Sequence, residues 1–225
     1  MLKFLGVGAA YNFKFNNNCA YFIENDTLYL FDCGEKICDK ILKTKLLNNV
    51  KKVCCFVTHL HSDHVGSLEP LMYYLHYIDQ KEIQVFYPYP KRLKKLLILM
   101  GIEFDFEIYD DFSKVKEIRV EPVRQKHIFG SFGYFVYSKQ GNFFYSGDTS
   151  IVNKRAVGEL KNGKIDAVYH EVTIVKEAKI HTHISKLENC FPKDLRNKVY
   201  LMHLANAKTI ATAKKLGFSI CTEIK

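Results

Sequence analysis

Val53 to Val57 is an unbroken apolar run, and it leads straight into Thr58-His59-Leu60-His61-Ser62-Asp63-His64. An apolar run of this length reads as a strand covered on both faces, which sets the following loop against a hydrophobic core. Three imidazoles and a carboxylate packed into the pattern H-x-H-x-D-H leave unpaired polar groups there unless something binds them. Divalent metal ions are the partner this chemistry selects, because imidazole and carboxylate without thiolate suit a catalytic rather than a structural site. His59 and His61 are two apart and face one way in an extended loop, whereas Asp63 and His64 are adjacent and turn toward a second centre. Two ions are therefore expected, zinc first, with manganese or iron accepted according to supply. Such a pair polarises a phosphoryl or carbonyl oxygen and lowers the pKa of water.

Around this loop, short strand-like runs alternate with helical periodicity. Residues 1–8, 19–23 and 27–31 read as an antiparallel meander that ends in the turn Asp32-Cys33-Gly34, and residues 83–87, 165–170 and 199–203 read as further strands. Helical spacing predicts helices over 35–47, 65–78, 91–100 and 206–216, the last stopped by Gly217. Residues 103–145 are mostly strand-like, with a hairpin across Gln140-Gly141-Asn142. Two layers of mixed sheet with helices outside satisfy this order. With 48% hydrophobic residues, 5 prolines and no linker-like stretch, residues 1–225 are expected to form one domain, and disorder is excluded as the main state.

Seven cysteines without C-x-x-C spacing indicate neither a disulfide framework nor a thiolate zinc site and fit a reducing compartment. The apolar start is broken at Tyr11-Asn12-Phe13-Lys14 and no 18-residue apolar segment occurs, so a soluble cytoplasmic protein without membrane contact is expected. The net charge of +9 favours an anionic partner, but 28 of the 33 basic residues are lysine, a pattern that equally serves solubility.

With Gly6-Val7-Gly8, Asp32-Cys33-Gly34-Glu35, an isolated His127, Gly147-Asp148-Thr149 and a late His203, the H-x-H-x-D-H loop resembles the metallo-β-lactamase superfamily over nearly the whole chain. The resemblance implies an α/β fold, the four-layer αβ/βα sandwich of two mixed β-sheets flanked by helices, with two metals at one edge. It implies that His59, His61 and His127 hold the first metal, that Asp63, His64 and His203 hold the second, and that Asp148 bridges them. Asp63 counts among the catalytic residues on the same ground, and Asp32 would orient the signature loop.

Phe31-Asp32-Cys33-Gly34-Glu35, Ser131-Phe132-Gly133-Tyr134, His170-Glu171-Val172-Thr173 and His181-Thr182-His183-Ile184-Ser185 further resemble the ribonuclease Z branch. That likeness implies a proton-transfer pair of Glu171 and His183, with His181 as the other available imidazole. His127 and Asp148 are only 21 residues apart, room for one hairpin and not for the arm that grips tRNA in ribonuclease Z. The compact relatives without an arm include the phage anti-Pycsar phosphodiesterases. The resemblance to them implies a small anionic cyclic-nucleotide substrate, cyclic pyrimidine mononucleotides such as cCMP and cUMP among others, a homodimer, and a site in the host cytoplasm if phage-encoded. A ribonuclease Z-like RNA or tRNA 3′-end endonuclease is the alternative. The loop Tyr11 to Asn18 offers aromatic faces, a cation and amides, and is expected, in the same subunit or from a second one, to cover the base.

Overall fold

Three apolar N-terminal runs form β1 (Lys3–Gly6), β2 (Cys19–Glu24) and β3 (Thr27–Phe31), paired antiparallel as the meander predicts. Asn25 and Asp26 join β2 to β3, both with left-handed φ (49° and 58°), the conformation that a tight two-residue hairpin demands and that short polar side chains tolerate. Helix α1 (Ile37–Lys43) then crosses to β4 (Lys52–Phe56), which lies parallel to β3. After the signature loop come α2 (Ser62–Val65), α3 (Leu68–Tyr73) with a π-helical continuation over Tyr74–Asp79, β5 (Glu82–Phe86), α4 (Pro90–Met100) and β6 (Ile108–Tyr109). The helix expected over 65–78 thus starts at Leu68, and a separate single turn, α2, holds Asp63 and His64.

The second half repeats the plan. Strands β7 (Arg119–Arg124), β8 (Phe132–Ser138) and β9 (Gly141–Tyr145) are antiparallel, and β10 (Ala167–Glu171), β11 (Val199–Met202) and β12 (Ser219–Ile220) continue the sheet in parallel. Three helices, α5 (Lys154–Lys161), α6 (Ile184–Cys190) and α7 (Ala207–Lys215), connect them. The computed structural model describes residues 1–12 and 14–224, and among these the strands form two six-stranded sheets, ordered β1 to β6 and β12 to β7. Helices α5 and α6 were not legible in the periodicity, being short and largely polar on the outside.

The sheets meet through aromatic rings. Phe31 lies 5.0 Å from Tyr145 and 5.8 Å from Phe143, centroid to centroid, and Phe56 lies 5.8 Å from Tyr134. Each buried ring contributes on the order of 2–3 kcal/mol through lost water contact. The tyrosines keep their hydroxyls satisfied across the interface: Tyr134 Oη donates to Val57 O, and Tyr145 Oη accepts from Asn18 Nδ2 (2.7 Å). This packing aligns the two sheets so that Asp32, His59, Asp148, Glu171 and His203 all stand at or just past the C-terminal ends of β3, β4, β9, β10 and β11. No described helix is long and apolar enough to cross a membrane.

Candidate metal centre

The backbone of the signature loop is held in place by the turn after β3. Cys33 N–H donates to His64 O (2.7 Å), and a Cβ at Gly34 would sit 2.0 Å from Asp63 O, so only glycine allows the two segments to approach this closely. Asp32, wholly buried and at φ 68°, takes the Thr58 N–H on Oδ1 (2.7 Å) and the Thr58 hydroxyl on Oδ2 (2.8 Å). Its Oδ2 also stands 2.8 Å from His64 Nδ1, which aims the other imidazole nitrogen inward. Burial raises the Asp32 carboxyl above its ordinary pKa, with His64 and Thr58 opposing that rise.

Two groups of side chains converge. In the first, His61 Nδ1 lies 3.0 Å from His59 Nε2 and 3.2 Å from His127 Nε2. In the second, Asp63 Oδ2 lies 3.2 Å from His64 Nε2 and 3.3 Å from His203 Nε2. Asp148 stands between them, with Oδ1 3.6 Å from His64 Nε2 and Oδ2 3.4 Å from His203 Nε2 and 3.8 Å from His127 Nε2. Gly147 sets this carboxylate: its φ is 56°, and a Cβ there would meet Phe132 O at 2.6 Å.

These donors fit divalent metal ions. Among the described residues, the buried His64 Nε2 and Asp148 Oδ1 have no hydrogen-bond partner although both are aimed into the cluster. Three imidazole nitrogens converging at 3.0–3.2 Å make a donor set of the kind that ligates a divalent cation. Burial lowers the pKa of His59, His61 and His127, which favours the neutral, ligating form. Second contacts fix the rings: Ile180 O lies 2.9 Å from His127 Nδ1, and the Thr58 hydroxyl 3.1 Å from His59 Nδ1.

Glu171 lies beside this cluster, fully buried. Its Oε1 accepts from the backbone N–H of Thr149 (3.1 Å) and Thr182 (2.9 Å), and His181 Nδ1 stands 3.3 Å away. Burial raises the Glu171 pKa. Burial alone would lower the His181 pKa, but the Glu171 carboxylate outweighs it and holds the imidazole above its ordinary value.

The expected pairing of Glu171 with His183 is not formed, and this corrects the reading from the sequence. His183 is the residue before α6, where its Nδ1 accepts the Ser185 N–H (3.3 Å) and lies 2.8 Å from the Ser185 hydroxyl. The ring is therefore turned to the helix end and away from the carboxylates. His181 occupies the position instead, its ring 4.9 Å from that of His127 and 5.5 Å from that of His203. The signal that could have separated the two was α6 itself, because Ile184 and Leu187 bury one face of a helix and leave His183 at its cap. His76 and His170 lie outside the cluster. His76 stacks on Phe104, and His170 Nδ1 stands 2.7 Å from the backbone O of Glu171, its pKa pushed down to about 4 by burial.

The cluster forms one wall of a cleft of ≈ 410 Å³, within the range of small-molecule sites, with Tyr11, Glu35 and Ile180 also lining it. The family model described as "Anti-Pycsar protein Apyc1" matches residues 1–222. The chain belongs to this family. Among curated relatives it is 25% identical over 224 residues to the anti-Pycsar protein Apyc1 of Paenibacillus sp. (strain J14), covering 91% of this chain and 89% of that one. Among solved structures it resembles the short form of human tRNase Z (ELAC1), at TM-score 0.70 and 22% identity, over 100% of this chain and 97% of that chain. It also resembles the metallo-β-lactamase fold protein YhfI from Bacillus subtilis, at TM-score 0.73 and 12% identity, over 100% of this chain and 95% of that chain. The fold is therefore the metallo-β-lactamase sandwich that the motifs implied.

Proposed function

We propose that this member of the anti-Pycsar family is a two-metal phosphodiesterase that opens 3′,5′-cyclic nucleotides, cyclic pyrimidine mononucleotides among them, to nucleoside monophosphates, and so removes a cyclic-nucleotide antiphage signal. The observation that carries the reading is Asp148, a buried carboxylate that faces His127 of one histidine group and His64 and His203 of the other on the wall of a cleft large enough for a small ligand. His59, His61 and His127 would hold one divalent ion, Asp63, His64 and His203 the other, and Asp148 would touch both, with zinc or manganese suited to the donors. Bound there, the ions supply Lewis-acid polarisation of the phosphoryl oxygen and a water of lowered pKa.

The chain's own residues do the rest. Asp32 keeps His64 oriented through its Nδ1, so the centre is rigid before substrate arrives. Glu171, anchored by two backbone N–H groups, keeps a proton on His181, which passes it to the ribose oxygen as the P–O bond breaks. The N-terminal loop presents a stacking face. Asn12 Nδ2 donates to Leu204 O (2.7 Å) and Gly8 bridges to Asn17 and Leu204, which leaves Tyr11 at the cleft mouth, the residue 88% exposed. Phe13 of the same loop lies outside the described residues. Tyr11→Ala should raise KM for a cyclic mononucleotide about tenfold with kcat within about twofold, the signature of lost base stacking worth ~1–3 kcal/mol; initial-rate kinetics check this.

The ribonuclease Z-like reading draws on the structural likeness to tRNase Z and on the +9 charge. Against it, His127 and Asp148 are joined by β8 and β9 through the two residues Lys139 and Gln140, with no projecting arm to gather tRNA phosphates. A homodimer belongs to the same proposal, and the exposed apolar residues Tyr77, Ile78, Ile98, Leu99 and Met100 support it. Incubating the zinc- or manganese-loaded protein with cyclic mononucleotides, cyclic dinucleotides and a tRNA precursor tests the reading. Cleavage of the precursor with every cyclic nucleotide untouched would overturn it.

A further inference from the structure

His59, His64 and His127 each have the ring nitrogen that faces away from the cluster fixed by a second contact, from Thr58, Asp32 and Ile180 in turn. Among the described residues no hydrogen bond reaches the corresponding Nδ1 of His203, whose Nε2 lies 3.3 Å from Asp63 Oδ2 and 3.4 Å from Asp148 Oδ2. The direction of this ring is therefore set from its backbone. That backbone follows β11 with φ 55°, in the left-handed region that a residue with a Cβ seldom enters and keeps only where its neighbours fix it.

The chain around His203 is tied to the N-terminal segment on both sides. Beyond it, Leu204 N–H donates to Val7 O (2.7 Å), and Leu204 O accepts from Ala9 N–H (3.2 Å). At His203 itself the backbone N–H donates to a side chain, Asn18 Oδ1 (3.3 Å). Asn18 is 1% exposed and its amide is fully committed, since Nδ2 donates to Tyr145 Oη (2.7 Å) and to Met202 Sδ (3.5 Å). Turning the amide over would set two donors, Nδ2 and the His203 N–H, against each other, so only one orientation serves. The residue is anchored in turn by its own N–H, which donates to Gly8 O (3.0 Å). The amide thus bridges Tyr145 at the end of β9 to the ligand that follows β11. It stands to the His203 backbone as Asp32 stands to the His64 ring.

We infer that Asn18 is a positioning residue of the second metal position: its carboxamide pins the left-handed turn that aims His203 Nε2 at Asp63 and Asp148. The inference rests on the two-metal reading and assigns the affinity of one of the two ions to one buried amide. The other position, built from His59, His61 and His127, makes no hydrogen bond to Asn18 among the described residues.

Zinc titration of the metal-stripped protein against a competing chelator, with elemental analysis of the loaded form, tests this. Wild type should take up two zinc ions per chain, and H203A should mark the second by losing it. N18A should weaken the second zinc about 10- to 100-fold, as for other partners that orient a ligand, and leave the first within about threefold. Y145F keeps its ring against Phe31 and removes only the partner of the Asn18 amide, so it should stay folded and weaken the second zinc about threefold. N18D keeps an acceptor in place, to which the Tyr145 hydroxyl can turn and donate, and should recover most of the affinity that N18A loses. A second zinc held within about twofold of wild type by N18A, or by Y145F where N18A does not fold, would overturn the inference. So would equal losses in N18A and N18D, or equal weakening of both ions in N18A, which marks a general loosening of the fold. Fewer than two ions on the wild type would instead strike the two-metal reading, and the inference with it.

Discussion

Replacing Asp148 by alanine is expected to lower kcat at least about a thousandfold and to release bound metal. The carboxylate is 2% exposed and approaches His64, His203 and His127 at 3.4–3.8 Å, so it is the negative charge that both histidine groups share. Burial alone would push its pKa up, but the surrounding histidines, His203 and His64 foremost, hold it well below the ordinary carboxylate range. Without it, buried imidazoles face one another and any cation among them with less compensation, at the cost of an unpaired buried charge. Elemental analysis of the purified variant should find fewer ions per chain than in wild type, while far-UV circular dichroism stays native-like. Asp148→Asn, nearly isosteric, separates charge from shape and should also lose turnover. Activity within tenfold of wild type in either variant would remove Asp148 from the centre.

The second large effect separates two histidines that the sequence leaves side by side. His181→Ala should lower kcat about 10²- to 10⁴-fold, the usual contribution of a placed proton donor, with metal content unchanged. The loss should shrink with a substrate whose leaving group needs no proton, such as bis(p-nitrophenyl) phosphate. His183→Ala should leave kcat within about twofold and cost about 1 kcal/mol of stability from the lost helix cap, seen as a small drop in Tm. The reverse result, His183 essential and His181 dispensable, would require a different arrangement of the loop Ala178 to Thr182.

How far the fold was legible follows from where the constraints lie. The H-x-H-x-D-H loop after Val53–Val57, Asp32 with Gly34, and Gly147 with Asp148 are local signatures, because the metal geometry admits few residue types at those positions. The antiparallel meander and the hairpin near Gln140 were legible for a similar reason, since apolar runs and turn chemistry act over a few residues, although the turn itself is Lys139-Gln140 and Gly141 and Asn142 already belong to β9. Pairing across distance was not legible. That β9, β10 and β11 run parallel, and that Phe31 packs on Tyr145, depends on contacts more than a hundred residues apart in places. His181 and His183 illustrate the same limit within one segment: alternation puts both on one face of an extended chain, and only the start of α6 at Ile184 turns one of them away.

The central claim is that these histidines and carboxylates, loaded with divalent metal, hydrolyse a 3′,5′-cyclic nucleotide. Its most direct measurement is chromatography of cyclic CMP after incubation with the zinc-loaded protein, beside the same protein stripped by a chelator and then reloaded. The account predicts complete conversion to cytidine monophosphate by the loaded and reloaded samples and none by the stripped one. Cyclic CMP left intact by all three, or converted equally by the stripped protein, would contradict it.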